Sequence, residues 1–412
     1  MSNVESIIIV CDTYEPLAHV AALRATEVSK RLARRGINVV VLTASEPGDG
    51  NLYRTPGRAE ATEALLHVVR TPRGLAHGES PRVRRVRVVA RLVTAVRYVR
   101  TGPFPVWLRS TMKVAATLDR PSAILAIHGN ATSLEVARRL SQYWRCPWIA
   151  DFKDIWDSGM RQPGLRRTMV RWSLARRIRT ASAITTSSER TARDFERVFG
   201  RSTHAIYSGI ECFGEEISTL PAPSDGHFRL VFTGHVQPTG TKLAESIEGI
   251  VGAMNAVPEV ALQLHYYGWS PDLIRNELLR HDCPEILVDH GYVGPADIKQ
   301  AQYGADMLLH LPFAGMSVKY LEYVASGRPM LVIPPEGDDS AELFRGDETI
   351  IEGQTAMEIA GGLTQELRRW LEFGRRPDVK REVDLFSWDC QTDKMVGVLE
   401  SVAGNERSSV RR

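Results

Sequence analysis

The sequence has no long hydrophobic run and few cysteines. Its apolar stretches fall short of the ~18 residues that a membrane-spanning helix requires. The five cysteines are scattered without a Cys-x-x-Cys pair, which argues against disulfides and against a zinc site. Hydrophobic residues make up 43% and charged residues 25% of the 412 residues, which excludes a mostly disordered chain. The N-terminal MSNVESIIIVCD predicts a buried strand instead of a signal peptide, so we expect a cytoplasmic protein.

Positive charge is concentrated in the first half of the chain, although the formal net charge is only +3. Seven arginines and no acid lie from Arg82 to Arg100, and seven more arginines without an acid lie from Arg161 to Arg179. A basic front half predicts an anionic partner: nucleic acid, a phosphorylated substrate or an anionic membrane. Nucleic acid is disfavoured, because the first cluster is interleaved with valines and not with aromatic side chains that stack on bases.

Short β-branched segments alternate with helical segments throughout the chain. This alternation predicts parallel sheets with helices on both faces. The segment from Cys212 to His227 contains prolines and glycines that favour a linker, so we expect one domain over 1–212 and a second over 227–385. Two facing, doubly wound (Rossmann-like) domains would form one cleft, with ligands at the carboxyl ends of the strands. The predicted strands are Ile7–Cys11, Val39–Thr43, Ala123–His128, Trp148–Asp151, Ala183–Thr186, Leu230–Gly234, Leu262–Tyr267, Ile286–Val288, Met307–Leu311 and Met330–Ile333.

One polar pattern in the second domain suggests chemistry. Ser317, Lys319 and Glu322 lie at or just inside the start of a short predicted helix, directly after a strand. A helix N-terminus offers free N–H groups and a partial positive charge, Lys319 adds a full charge, and Glu322 could accept hydrogen bonds from two sugar hydroxyls. The pattern therefore predicts an anion site, although an ordinary surface pair between Lys319 and Glu322 would have the same spacing.

The stretch Met316–Ile333 resembles the nucleotide-binding signature of bacterial family 4 glycosyltransferases with the two-domain GT-B fold, Ser-Lys-x-x-Glu-Tyr-x-x-x-Gly-x-Pro. The matching residues are Lys319, Glu322, Tyr323, Gly327 and Pro329. The resemblance extends over nearly the whole chain. The other stretches that carry it, in the family's order, are Ala22–Arg24, Leu32–Gly36, Val39–Thr43, Trp148–Trp156, Leu230–Gly234 and Phe386–Trp388.

The resemblance implies transfer of a sugar, with retention at the anomeric carbon, from a nucleotide-diphosphate donor whose base is uridine by default. It implies that the acceptor binds the first domain and the donor the second, and that a last helix over 386–404 crosses back to the first domain. No Asp-x-Asp motif occurs, which agrees with a site that needs neither metal nor cofactor. The implied donor-binding residues are Gly234, His235, Lys242, Ser317, Lys319 and Glu322, with Lys242 and Lys319 on the diphosphate and Glu322 on the ribose.

Two residues of the first domain are candidates for the reacting centre. His128 ends the apolar strand Ala123–His128, and in the family a histidine here contacts the donor sugar; an ordinary core or rim histidine is the alternative. Asp154 matches the family's aspartate in Trp148–Trp156, where it is either a site residue or the cap of the next helix. We take both residues as the catalytic candidates.

Three departures from the family pattern are visible. The first loop lacks the usual glycine pair, and there His19 could supply the missing contact; with Arg24 it forms the first-domain part of the predicted site. His235 stands where the family has arginine, and Ala314 where it has glutamate. These departures leave two alternatives open: a nucleotide-sugar epimerase of the same fold, and a non-catalytic glycosyltransferase-like partner protein.

The segment Val86–Val99 predicts a basic amphipathic helix. At ~100° per residue its apolar side chains cover one half of the helix, and Arg87, Arg91 and Arg97 lie on the other half. A surface helix that packs on the core of the first domain would show a similar pattern. The wide apolar face and the arginines favour peripheral binding to the inner leaflet of an anionic membrane.

Overall fold

The structure is a computed structural model that describes residues 4–17, 20–45, 64–74, 100–153, 164–211, 226–236, 242–311, 318–333, 344 and 346–410. The chain divides into two units. The first comprises Met1–Gly209 with Trp388–Arg412, and the second comprises Ile210–Ser387. The last helix is therefore part of the first unit. Among the residues described, no helix combines the length and the apolar composition needed to cross a membrane.

Strands and helices alternate along both units. In chain order the described elements are β1 (Ser6–Val10), α1 (Val20–Arg34), β2 (Asn38–Ala44), β3 (Leu66–Thr71), α2 (Pro105–Ala115), β4 (Ala123–His128), α3 (Ala131–Trp144), β5 (Trp148–Phe152), α4 (Leu165–Ile178), β6 (Ala183–Thr186), α5 (Glu189–Phe199), β7 (Thr203–Ala205), β8 (His227–Thr233), α6 (Leu243–Ala256), β9 (Ala261–Tyr267), α7 (Asp272–Leu279), β10 (Leu287–Gly291), α8 (Pro295–Gly304), β11 (Met307–His310), α9 (Val318–Ala325), β12 (Met330–Val332), β13 (Ile350–Glu352), α10 (Ala356–Phe373) and α11 (Trp388–Val410).

The first unit is built on a parallel sheet with the strand order β3-β2-β1-β4-β5-β6-β7. Alternate side chains of its strands enter two separate apolar layers, as the two-residue period of a strand requires. One layer contains Ile7 and Ile9 of β1 and packs against α1 and α11. The other contains Ile8 and Val10 and packs against α2, α3, α4 and α5. Helices thus cover both faces of the sheet.

The second unit repeats this design with a parallel sheet in the order β10-β9-β8-β11-β12-β13. Leu230 and Phe232 of β8 face a layer formed with α6, α7 and α10. Val231, between them in sequence, faces the opposite layer, formed with α8 and α9. Because every pairing is parallel, the carboxyl ends of the strands and the starts of the helices that follow them lie at one edge of each sheet.

The predicted fold class, two doubly wound parallel-sheet domains, is confirmed. Each of the ten predicted strands is present, with small shifts at its ends. The prediction missed β3, β7 and β13, which all lie at the margins of their sheets. β7 and β13 have only three residues each, and the middle of β3 is partly exposed, so none of them carries the apolar run of a central strand. The predicted helix Val86–Val99 lies outside the described residues.

Candidate functional site

At the carboxyl edge of the second unit, a lysine is packed against a glycine. The Lys319 ammonium, in the first turn of α9, donates to the carbonyl of Thr233 at the end of β8, with 2.6 Å between Nζ and O. A Cβ built on the next residue, Gly234, would lie 1.3 Å from Lys319 Nζ. Gly234 also has a φ of +114°, which side chains disfavour. The glycine is therefore required for the lysine to take this position.

The electrostatics of this pair are altered by burial. Loss of hydration lowers the pKa of Lys319 to about 8, while the nearby Glu322 carboxylate opposes the shift. Burial raises the pKa of Glu322, and the charge of Lys319 opposes that shift in turn. Both side chains nevertheless keep some exposed area, so a ligand can reach them. Shifted pKa values of this kind are typical of functional sites.

Two other residues of the matched signature hold the site together. The Tyr323 hydroxyl accepts a hydrogen bond from the Thr233 N–H at 2.8 Å and lies 3.0 Å from its side-chain oxygen, which fixes the end of β8 against α9. Gly327 has a φ of +70°, and a Cβ there would lie 2.7 Å from the carbonyl of Val379. The signature therefore combines residues that hold the structure together with the partly exposed pair Lys319 and Glu322.

The other predicted donor residues are placed differently. His235 is exposed and directly follows Gly234. Lys242 caps the start of α6, and its ammonium donates to the carbonyl of Gln354 at 2.6 Å, just before α10. It therefore lies at the same edge of the sheet, but its hydrogen bond is to the α10 side and not to Gly234. Ser317 lies outside the described residues.

An aromatic pair that the sequence analysis missed lies at this same edge. Trp269 follows β9 and Tyr292 follows β10, and their rings stack with centroids 4.3 Å apart. Both side chains are about half exposed. They are close to the Gly234 region, because a Cβ on Gly268 would lie 2.0 Å from the carbonyl of Gly234. The signal available in the sequence was an aromatic residue soon after each of two predicted strands, Leu262–Tyr267 and Ile286–Val288.

In the first unit, Arg24 requires a correction. The prediction placed it in the first loop at the site, but it lies inside α1 with only 1% of its surface exposed. Its guanidinium bonds both carboxylate oxygens of Asp151 at 2.7 and 2.8 Å, and it also donates to the carbonyls of Ile206 and Tyr207. Thr185 donates to the same carboxylate at 2.6 Å. Arg24 therefore joins α1, β5 and the segment after β7.

His128 lies at the carboxyl end of β4, as predicted, with its ring 4.8 Å from that of Phe152. The residues beside it form a polar cluster that the prediction missed. The Asn130 amide donates to Asp12 after β1, and its oxygen accepts from Thr132 N–H as the cap of α3. The chain order strand, glycine, asparagine was the signal for this cap. His19 and Asp154 lie outside the described residues.

Within the described ranges, no cluster of three or more His, Cys, Asp or Glu side chains is arranged to hold a metal ion. Lys319 and Lys242 place two cationic groups at the carboxyl edge of the second unit. Such groups bind phosphate oxygens directly. The arrangement can therefore hold an anionic group beside the start of α9.

Comparison with known proteins identifies the first unit. Residues 21–207, a little under half of the chain, match the family model of the glycosyl transferase 4-like domain. The first unit is therefore similar to a glycosyl transferase 4-like domain. The family resemblance predicted from the sequence is thereby confirmed. No curated protein matches the chain in sequence.

Solved structures share the complete two-domain fold. HepE from Anabaena, in complex with UDP-glucose, has a TM-score of 0.59 at 13% identity, covering 98% of this chain and 99% of its own. The pneumococcal O-GlcNAc transferase GtfA, in complex with UDP and GlcNAc, has 0.62 at 9%, covering 97% and 99%. A putative UDP-N-acetylglucosamine 2-epimerase from Listeria monocytogenes has 0.51 at 8%, covering 97% and 96%. These likenesses show the fold, which is GT-B.

The Arg24–Asp151 pair predicts a defined stability effect in the GT-B fold. Arg24→Met leaves a buried carboxylate without its cation, so we expect the free energy of unfolding to fall by ~3–5 kcal/mol. The double variant Arg24→Met/Asp151→Leu removes both charges and should recover part of that loss. Urea unfolding followed by fluorescence measures both. Arg34→Met, on the exposed side of α1, is the matched control and should cost under ~0.5 kcal/mol. A single variant no less stable than this control would contradict the interpretation.

Proposed function

We propose that this protein is a retaining, metal-independent glycosyltransferase. It moves a sugar from a nucleotide-diphosphate sugar, with uridine as the expected base, to an acceptor in glycan, glycolipid or natural-product biosynthesis. The observation that carries the proposal is the contact of Lys319 with Thr233 and Gly234, one helical turn from Glu322. Donor binding is assigned to the second unit, and acceptor binding to the first.

The role proposed for these residues follows from the bonds that break and form during transfer. The bond between the anomeric carbon and the diphosphate oxygen breaks, and its electron pair stays on the diphosphate. A hydroxyl oxygen of the acceptor bonds to the anomeric carbon, and the proton of that hydroxyl passes to the leaving diphosphate. The leaving diphosphate therefore gains negative charge. The Lys319 ammonium, the start of α9 and, at its own helix start, Lys242 would stabilise that charge. Glu322 would hold the ribose hydroxyls.

The relatives give independent support for the donor class. HepE binds UDP-glucose and GtfA binds UDP with GlcNAc, and both share this chain's fold over nearly its whole length. In the first unit, His128 at the end of β4 and Asp154 stay the catalytic candidates, with contact to the donor sugar proposed for His128. Cytoplasmic localisation and peripheral binding to an anionic membrane are further parts of the proposal.

The diphosphate site can be tested by binding of UDP. Charge-assisted hydrogen bonds contribute ~1.5–3 kcal/mol each, so Lys319→Ala and Lys242→Ala should each weaken UDP binding by about ten- to a hundredfold. Isothermal titration calorimetry with UDP and GDP measures the change. Lys380→Ala, an exposed lysine of the same unit, is the matched control and should leave the affinity unchanged. Unchanged affinity in both site variants would overturn the assignment of these lysines.

The lowered pKa of Lys319, about 8, predicts a pH dependence of UDP binding. Below this pH the side chain carries the ammonium that attracts phosphate, and above it the free protein holds a neutral amine. The affinity should therefore fall as the pH rises from 7.5 to 9.5, by up to ~tenfold per unit above the pKa. Lys319→Met should lack this component of the profile. Parallel profiles for the two proteins would show that another group titrates.

Transfer chemistry itself can be followed without knowing the acceptor. With UDP-glucose or UDP-GlcNAc and water as a slow acceptor, the first sugar released should keep the anomeric configuration of the donor, as read by proton NMR. The rate should be unchanged in EDTA, because lysines and helix starts stabilise the leaving group. A strict Mg²⁺ or Mn²⁺ requirement would contradict metal independence. Formation of a nucleotide sugar epimerised at C2 would instead favour the epimerase alternative. We test for it because the putative 2-epimerase from Listeria shares this fold.

A further inference from the structure

The second arginine cluster of the sequence is not explained by sugar transfer. Most of it forms α4, a helix of the first unit without an acidic residue. Two apolar side chains of this helix are exposed: Trp172 to 59% and Met169 to 37%. A tryptophan with more than half of its surface in water is unusual for a folded protein. The combination of arginines, tryptophan and methionine on one exposed helix surface calls for an explanation.

The helix is two-sided. Ser173, Leu174, Arg177 and Ile178 are buried and face the interior of the unit. At ~100° per residue, Trp172 points directly away from the middle of this buried side, and Met169, Arg176 and Arg179 flank it. We call these four residues the α4 face. Its centre, Trp172, is apolar, and its flanks carry the apolar Met169 and the two cationic arginines.

The structure also divides the arginines of this cluster between two roles. Arg177 is fully buried, donates to the carbonyl of Ser173 at 3.0 Å, and lies 3.7 Å from the Glu135 carboxylate. It belongs to the interior. Arg176 and Arg179, on either side of it in sequence, are exposed. Arg171 is exposed as well, but its guanidinium donates to the carbonyl of Val198, so Arg176 and Arg179 are the exposed arginines beside Trp172.

We infer that the α4 face docks the first unit on the surface of an anionic phospholipid bilayer. Tryptophan prefers the boundary between headgroups and acyl chains, where its apolar ring is buried and its N–H stays hydrated. Arginines at its flanks reach the lipid phosphates. A nucleic acid would satisfy the arginines but offers no apolar layer for Trp172 and Met169. A bilayer matches both the charge and the apolar centre of the α4 face.

This inference rests on the membrane part of the proposed function and not on its transfer chemistry. It also differs from the prediction for Val86–Val99, because it names another helix. The two surfaces can be separated by variants, since they share no residue. UDP binding, measured on the same proteins, separates a failure of membrane docking from a failure of the nucleotide site.

The test is flotation of the full chain with liposomes of phosphatidylcholine alone or mixed with an equal part of phosphatidylglycerol. The wild type should bind the anionic liposomes at low salt, bind neutral ones at least tenfold more weakly, and be released by ~0.5 M NaCl, which shortens the reach of charges. Arg176→Glu/Arg179→Glu should weaken binding to anionic liposomes at least tenfold, and Trp172→Ser several-fold, with UDP affinity unchanged in both.

The matched control reverses two exposed arginines of the second unit, Arg275→Glu/Arg280→Glu, and should bind liposomes like the wild type. Insertion of Trp172 has its own readout: lipids brominated in the acyl chain should quench tryptophan emission, and Trp172→Phe should lose most of the quenching while still binding. No binding to anionic liposomes, or equal binding by the α4 and control variants, would overturn the inference. So would loss of binding in Arg87→Glu/Arg91→Glu with normal binding in the α4 variants.

Discussion

Every strand pairing that the structure describes is parallel, and both candidate sites depend on this constraint. A parallel sheet requires each strand to be followed by a crossover, so strand ends and helix starts collect at one edge. Unpaired N–H groups and the positive ends of helices then point to the same side. In the second unit this edge holds Lys319, Gly234 and Lys242, and in the first it holds His128 and Asn130. Both candidate sites follow from the direction of the strands.

Some polar residues at these edges hold neighbouring elements together, whereas others remain accessible to a ligand. Arg24 and Asp151 are fully buried and form an ion pair with two hydrogen bonds. Their role is to join α1 to β5 and to the segment after β7. Tyr323 similarly fixes β8 against α9. Lys319 and Glu322 differ, because both keep exposed surface and both have pKa values shifted towards the neutral form. A sequence motif records both kinds of residue without distinguishing them.

The sequence was sufficient for the central architecture because buried parallel strands leave continuous apolar runs, as in Ala123–His128 and Met330–Val332. The order of the motifs in the sequence also led us to assign Gly234, Lys319 and Glu322 to one predicted donor site. It was insufficient for β7 and β13, whose three residues carry too little pattern. The burial of Arg24 could not be predicted from the sequence either, because its partner Asp151 is 127 positions away. Spacing predicts neighbours on one element, but not which distant side chain completes a buried charge.

The contact between Lys319 and Gly234 shows how such a site stays ready for an anion. In the absence of ligand, the ammonium is desolvated and its hydrogen bond goes to a neutral carbonyl, so the charged form is disfavoured. The nearby Glu322 carboxylate offsets only part of the cost of desolvation, and a phosphate oxygen would add a second counter-charge. Gly234 makes this possible, since any side chain there would occupy the position of the ammonium. Gly234 therefore leaves room for a poorly solvated lysine at the carboxyl edge of the second unit.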